Sequence, residues 1–223
     1  TTGTADNFTT ANISISNTTA TPTIIRNEGV FAQAPGFGSA VNVTYIGRDK
    51  TSSFELPAAT DKLNNLTVAT TNGGNGTGNN TFGKGSPARG VVTITTSPTI
   101  NGSINVSQYQ TLAIATTQVF TMMGATMQVD GQVVNLEPAN FAGLQNYLVL
   151  AATAGTTING AGLLPPMLVQ SPGNVINGSK AIIDQQLGVN YTNAADATGS
   201  DDVIDGDPSA ANGQITLITP QPH

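Results

Sequence analysis

The sequence predicts an all-β protein, built from many short antiparallel strands in a sandwich or barrel. Three observations lead there. Apolar and polar residues alternate with a period of two, Thr, Val and Ile dominate the alternating runs, and Gly, Pro and Asn punctuate them at short intervals. With 223 residues and 38% hydrophobic composition, the chain can bury a sizeable core without staples.

Taken in order, the first run spans 10–16, with Ala11, Ile13 and Ile15 on one face and Asn12, Ser14 and Ser16 on the other. Strands are expected next at 22–26, 41–47, 52–56, 65–71 and 90–96, and β-branched residues concentrate in all of these but 52–56. The Gly- and Asn-rich stretch 72–85 reads as a loop. Beyond it, alternation predicts strands at 103–107, 111–121, 126–130 and 132–136. Asp130-Gly131 between the last two predicts a tight hairpin. One short helix is expected near 138–150, with Pro138 in its first turn and Phe141, Leu144 and Leu148 at helical spacing. The remaining strands fall at 167–170, 180–184, 188–192 and 213–219. As domains, residues 1–20 read as an N-terminal tail and 21–223 as one β-sandwich domain or two β lobes.

Composition narrows the function. Charged residues make up 9% of the chain, well below the usual quarter, and the net charge is -6. Solubility therefore rests on uncharged polar groups, and few groups can change protonation on unfolding. Seven scattered Lys and Arg cannot neutralise a run of phosphates, which argues against nucleic-acid binding. No apolar run reaches the ~20 residues that span a bilayer, so no membrane span is expected. Cys is absent, which removes disulfides, thiolate nucleophiles and Cys-based metal sites. A leader removed from before Thr1 would fit an extracellular location.

Eleven Asn-X-Ser/Thr sequons occur, at Asn7, Asn12, Asn17, Asn42, Asn65, Asn75, Asn79, Asn101, Asn105, Asn177 and Asn190. Random association of this chain's Asn with its Ser and Thr gives roughly five. Asn12, Asn42, Asn65, Asn105 and Asn190 lie inside alternating runs at the polar parity, so each amide is expected to face solvent. None occurs in 108–176, which holds the longest apolar material and reads as core or as a subunit interface. Covalent N-glycans are expected, and no other cofactor.

Catalytic signals are weak. The only His is His223, and neither a His-Glu-X-X-His nor a Gly-X-Ser-X-Gly pattern occurs. The acidic cluster containing Asp201, Asp205 and Asp207 could hold Ca²⁺, although a solvated turn before Pro208 reads better because the closing Glu of a twelve-residue loop is missing. Lys62 and Lys180, beside apolar strand residues, are candidates for an intramolecular isopeptide bond, with ordinary snorkelling as the alternative. The expected protein is not an enzyme.

The sequon-dense stretch 6–19, followed by a Cys-free, charge-poor β domain, resembles the subunits of archaeal thread filaments of thermoacidophiles. That resemblance implies an immunoglobulin-like, pilin-like antiparallel β-sandwich lacking one strand, completed by the N-terminal donor strand of a neighbour. It also implies an extracellular, cell-surface filament of identical subunits joined head to tail, with roles in adhesion or biofilm. Ala11, Ile13 and Ile15 form the apolar row such a tail would insert. The rival readings are a non-filament surface glycoprotein, of S-layer or adhesin type, whose first strand pairs within its own chain, and a secreted carbohydrate-active module.

Overall fold

The computed structural model describes residues 7–8, 14–17, 19–69, 90–137, 145–160, 162–165, 167–171, 173–177, 187–189 and 215–218, with backbone alone at 7–8, 177, 187–189 and 215–218. The chain is all strand there, as the alternation predicts, but the pairing overturns the expected antiparallel immunoglobulin-like sandwich. Every recorded ladder is parallel.

The strands follow one another in circuits. The first holds β1 (Asn7–Phe8), β2 (Ser14–Ile15) and β3 (Thr23–Arg26), and the second β4 (Val30–Phe31), β5 (Gly36–Phe37) and β6 (Val41–Tyr45). Next come β7 (Lys50–Thr51) with the longer β8 (Leu63–Val68), then β9 (Val91–Ile94), β10 (Thr99–Ile100) and β11 (Ser103–Val106). The fifth circuit holds β12 (Thr111–Ile114), β13 (Val119–Met122) and β14 (Thr126–Val129), and the sixth β15 (Gln132–Asn135), β16 (Tyr147–Leu150) and β17 (Thr157–Asn159). The last strands are β18 (Met167–Val169), β19 (Asn174–Asn177), β20 (Leu187–Val189) and β21 (Ile215–Ile218).

Each strand pairs with its counterpart one circuit on, so the chain coils and its strands stack into walls. A short wall runs β7-β9-β12-β15. A middle wall runs β10-β13-β16-β18-β20, and a long wall β3-β6-β8-β11-β14-β17-β19-β21. The middle and long walls join at β8, which pairs with both β10 and β11, so the sheet curls around a common interior. Parallel partners need a crossover of about a dozen residues or more, and one circuit supplies it.

Like stacks on like inside. Val43, Leu66, Ile104, Met127, Ile158 and Ile176 form one inward column of the long wall, and all are buried. Ile100, Met122, Leu150 and Val169 do the same in the middle wall, and Val92, Leu112 and Val133 in the short wall.

Two local expectations are also corrected. The predicted hairpin is a corner: β14 pairs with β11 and β17, whereas β15 pairs with β12. Gly131 serves that corner through space rather than turn type, because a Cβ there would sit 2.2 Å from the Gln110 carbonyl and 2.4 Å from that of Ser107. The helix expected over 138–150 gives way at its end to β16, whose four residues are all buried, while 138–144 lies outside the described residues. Leu148, read at helical spacing, lies in a strand buried on both faces, for which periodicity carries no signal.

Part of the tail pairs within the chain. Ser14–Ile15 pairs in parallel with Gly36–Phe37 of the same chain, Gly38 N–H donates to the Ile15 carbonyl at 2.9 Å, and Ile15 packs against the core. Ala11 and Ile13 lie outside the described residues. Among those residues, no helix is long and apolar enough to cross a membrane.

Candidate functional site

The walls differ in what covers their outer faces. In the middle wall, outward Tyr147, Val149 and Leu168 are buried and form a second apolar cluster with Val119 and Ala151. In the short wall, outward Thr111 and Ala113 are buried as well. The long wall keeps strict alternation instead: its outward positions from β3 to β17 are half-buried or exposed, as expected for the open surface of a sheet.

Two outward columns run along this open face. One carries Thr23, Asn42, the pair Asn64 and Asn65, Ser103, Thr126 and Thr157. The other carries Ile25, Thr44, Thr67, Asn105, Gln128 and Asn159, and Asn177 follows in register. None of these residues is charged. Rungs repeat about every 4.8 Å and the columns stand about 6.8 Å apart, so between Ile25 at one end and Val175 beyond Thr157 the face is a regular array of hydroxyl and amide groups.

The first column is braced by side-chain hydrogen bonds. A bulge sets Asn64 and Asn65 against Asn42, whose Oδ1 accepts from Asn64 Nδ2 at 2.9 Å and from Asn65 N–H at 3.3 Å. Asn42 Nδ2 donates to Thr23 Oγ1 at 3.3 Å, and Asn65 Oδ1 accepts from Ser103 N–H at 2.7 Å and from its hydroxyl at 3.0 Å. Sequon residues Asn42, Asn65, Asn105 and Asn177 thus belong to this single wall, and Asn101 sits at the corner that enters it.

The other sequence-derived candidates do not gather there. Asn17 is exposed in the turn after β2, and Asn7 is seen as backbone in β1 opposite Val30. Lys62 is half-buried and its ammonium pairs with Asp61 at 3.2 Å, a surface ion pair. Asn12, Asn75, Asn79, Asn190, Lys180, Asp201, Asp205 and Asp207 lie outside the described residues. Among the described residues, no group of three or more His, Asp or Glu is placed to hold a metal.

Sequence reasoning missed one cluster. Arg26 occupies the inward column ahead of Tyr45, and its guanidinium meets buried Glu55 at 2.5 Å. Glu55 Oε1 also accepts from the Tyr45 hydroxyl at 2.7 Å and from Ser53 N–H at 2.9 Å, while its Oε2 has no partner among the described residues. Arg26 donates further to the carbonyls of Thr51 and Gly29, and lies 5.9 Å from the centre of the Tyr45 ring. Burial, with the carboxylate of Glu55 adding to it, pushes the Tyr45 phenol far above its ordinary range. A cavity of about 150 Å³ opens beside the cluster, lined by Ile24, Val30 and Phe31 among others. The saturated Oε1 and the inward position of Arg26 give this cluster the role of a polar plug at one end of the apolar interior.

Among the described residues, Lys50 is the lysine whose chemistry burial alters. Its ammonium donates to the carbonyls of Ile46 and Arg48, both at 2.5 Å, and desolvation lowers its pKa. No protein-family model, curated protein or solved structure matches this chain.

Proposed function

We propose that this chain is a non-catalytic structural glycoprotein of an extracellular surface, its N-terminal segment built into its own first circuits. The observation that carries the reading is the long wall, whose open, uncharged face collects Asn42, Asn65 and Asn105. An array of amides and hydroxyls keeps a surface soluble without titrating, and sequons on one side let sugar cover that side while the middle and short walls carry the buried outward positions. The pairing of Ile15 with Phe37 supports the rival in which the first strand serves its own chain.

A second reading, assembly of identical copies into a filament, draws support from one feature. Among the described residues β3 pairs only with β6, so one edge of the long wall is open beside exposed Ile25. End-to-end stacking of coils is heterologous and does not close, which would extend the walls from copy to copy.

Deleting residues 1–20 tests both. The surface-glycoprotein reading expects a loss of thermal stability, because β2 and its contact to the core disappear. A variant that keeps its melting temperature but no longer sediments as a polymer would favour a filament fed by the tail.

A further inference from the structure

Sequons that look alike in the sequence differ in what their amides already do. N-glycosylation joins sugar C1 to Asn Nδ2, breaks the bond from C1 to the phosphate of an activated glycosyl donor, and releases one Nδ2 hydrogen as a proton. The phosphate leaves with the bonding pair. A modified side chain therefore keeps one N–H where it had two.

Asn101 uses both. Its Nδ2 donates to the Thr60 carbonyl at 2.7 Å and to the Leu63 carbonyl at 3.1 Å, tying the corner before β11 to the preceding circuit. Asn42 is half-buried between Val41 and Val43 and is held at both ends, its nitrogen by Thr23 and its oxygen by Asn64 and Asn65. A glycan on Asn101 therefore displaces a bond that joins successive circuits, whereas Asn42, with one N–H in use, keeps its bond to Thr23.

Asn105 and Asn17 are placed otherwise. Asn105 is exposed between buried Ile104 and Val106, and its side chain makes no hydrogen bond among the described residues. Asn17 is exposed, and its Oδ1 accepts from both the N–H and the hydroxyl of Thr19 at 2.9 Å. Those contacts fix the oxygen and leave Nδ2 without an acceptor among the described residues. The sequon's own Thr thus orients the amide, and substitution at nitrogen costs neither side chain a bond.

We infer that Asn17 and Asn105 carry glycan while Asn101 remains a bare amide that braces the coil. This rests on the glycoprotein reading above. Intact glycopeptide mass spectrometry of protein purified from its natural source gives occupancy site by site. The expected result is occupancy at Asn17 and Asn105 at least about tenfold above that at Asn101, the ratio that one lost hydrogen bond sets. Occupancy at Asn101 equal to that at Asn105 overturns the inference and leaves the glycoprotein reading standing, as does a bare Asn17 or Asn105 beside other occupied sequons. Bare asparagine at every sequon overturns both. A second measurement needs no glycan: in unmodified recombinant protein, Asn101→Gln is expected to lower the unfolding midpoint and Asn105→Gln to leave it unchanged. Equal effects of the two would also count against the assignment.

Discussion

At the scale of single residues, the polar plug is where this charge-poor chain concentrates its electrostatics. Tyr45 is fully buried and donates to Glu55, so its folded pKa is raised while its unfolded value stays near 10. A raised folded pKa gives stability that is complete below pH ~10 and lost as pH climbs, because only the unfolded chain releases the phenolic proton. Burial raises Tyr147 in the same direction, and the lowered pKa of half-buried Lys50 works against both. Denaturant unfolding at pH 9 and pH 11 is therefore expected to show a loss, with a slope approaching about 1.4 kcal/mol per pH unit for Tyr45. In Tyr45→Phe that slope should shrink, and an unchanged slope would place the base-sensitive group elsewhere. The parity of Asn42 and Asn105 was legible in the sequence, since Val41, Val43, Ile104 and Val106 flank them and all four are buried. The plug was not, because nothing local links Arg26 to a Glu 29 positions later in a non-strand segment.

Among elements, strand existence was far easier to read than strand partnership. Alternation marks β6, β8, β11, β14 and β15 clearly, but an alternating strand looks the same beside an antiparallel or a parallel neighbour. The missing cue is a repeat of about one circuit, visible once aligned: Val91–Ile94, Thr111–Ile114 and Gln132–Asn135 stack in register, as do Ser103–Val106 and Thr126–Val129. Corners say the same. A Cβ on Gly124 would lie 1.5 Å from the Gly102 carbonyl one circuit earlier, and one on Gly162 would lie 1.9 Å from that of Gly131. These glycines let backbone stack on backbone where the walls meet, a demand that an isolated hairpin turn does not make. Gly124→Ala must therefore move a rung, and chemical denaturation is expected to show destabilisation of about 3 kcal/mol. Exposed Ala125→Ser next door should stay within about 0.5 kcal/mol. Similar small effects for both would mean that the corners have slack.

For the whole molecule, coiling means that each circuit touches mainly the circuits before and after it, so stability accrues rung by rung and opening starts at the ends. β8, β11 and β14 each have partners on both sides, whereas β3 has only β6 among the described residues. Amide exchange followed by mass spectrometry should consequently be slowest in peptides covering β8, β11 and β14 and faster in those covering β3. Ile104 lies in the middle of the longest inward column, 1% exposed, with Leu66 and Met127 against it in register. Ile104→Ala removes packing from both neighbouring circuits, and losses of about 2–5 kcal/mol are usual for such a truncation. Protection should then fall by that amount in β8, β11 and β14, while β3, whose exchange needs only the end to fray, changes little. A uniform fall across every wall would describe a globule that opens all at once. The coil instead predicts a boundary, because a rung weakened in the middle leaves the circuits beyond its neighbours still stacked.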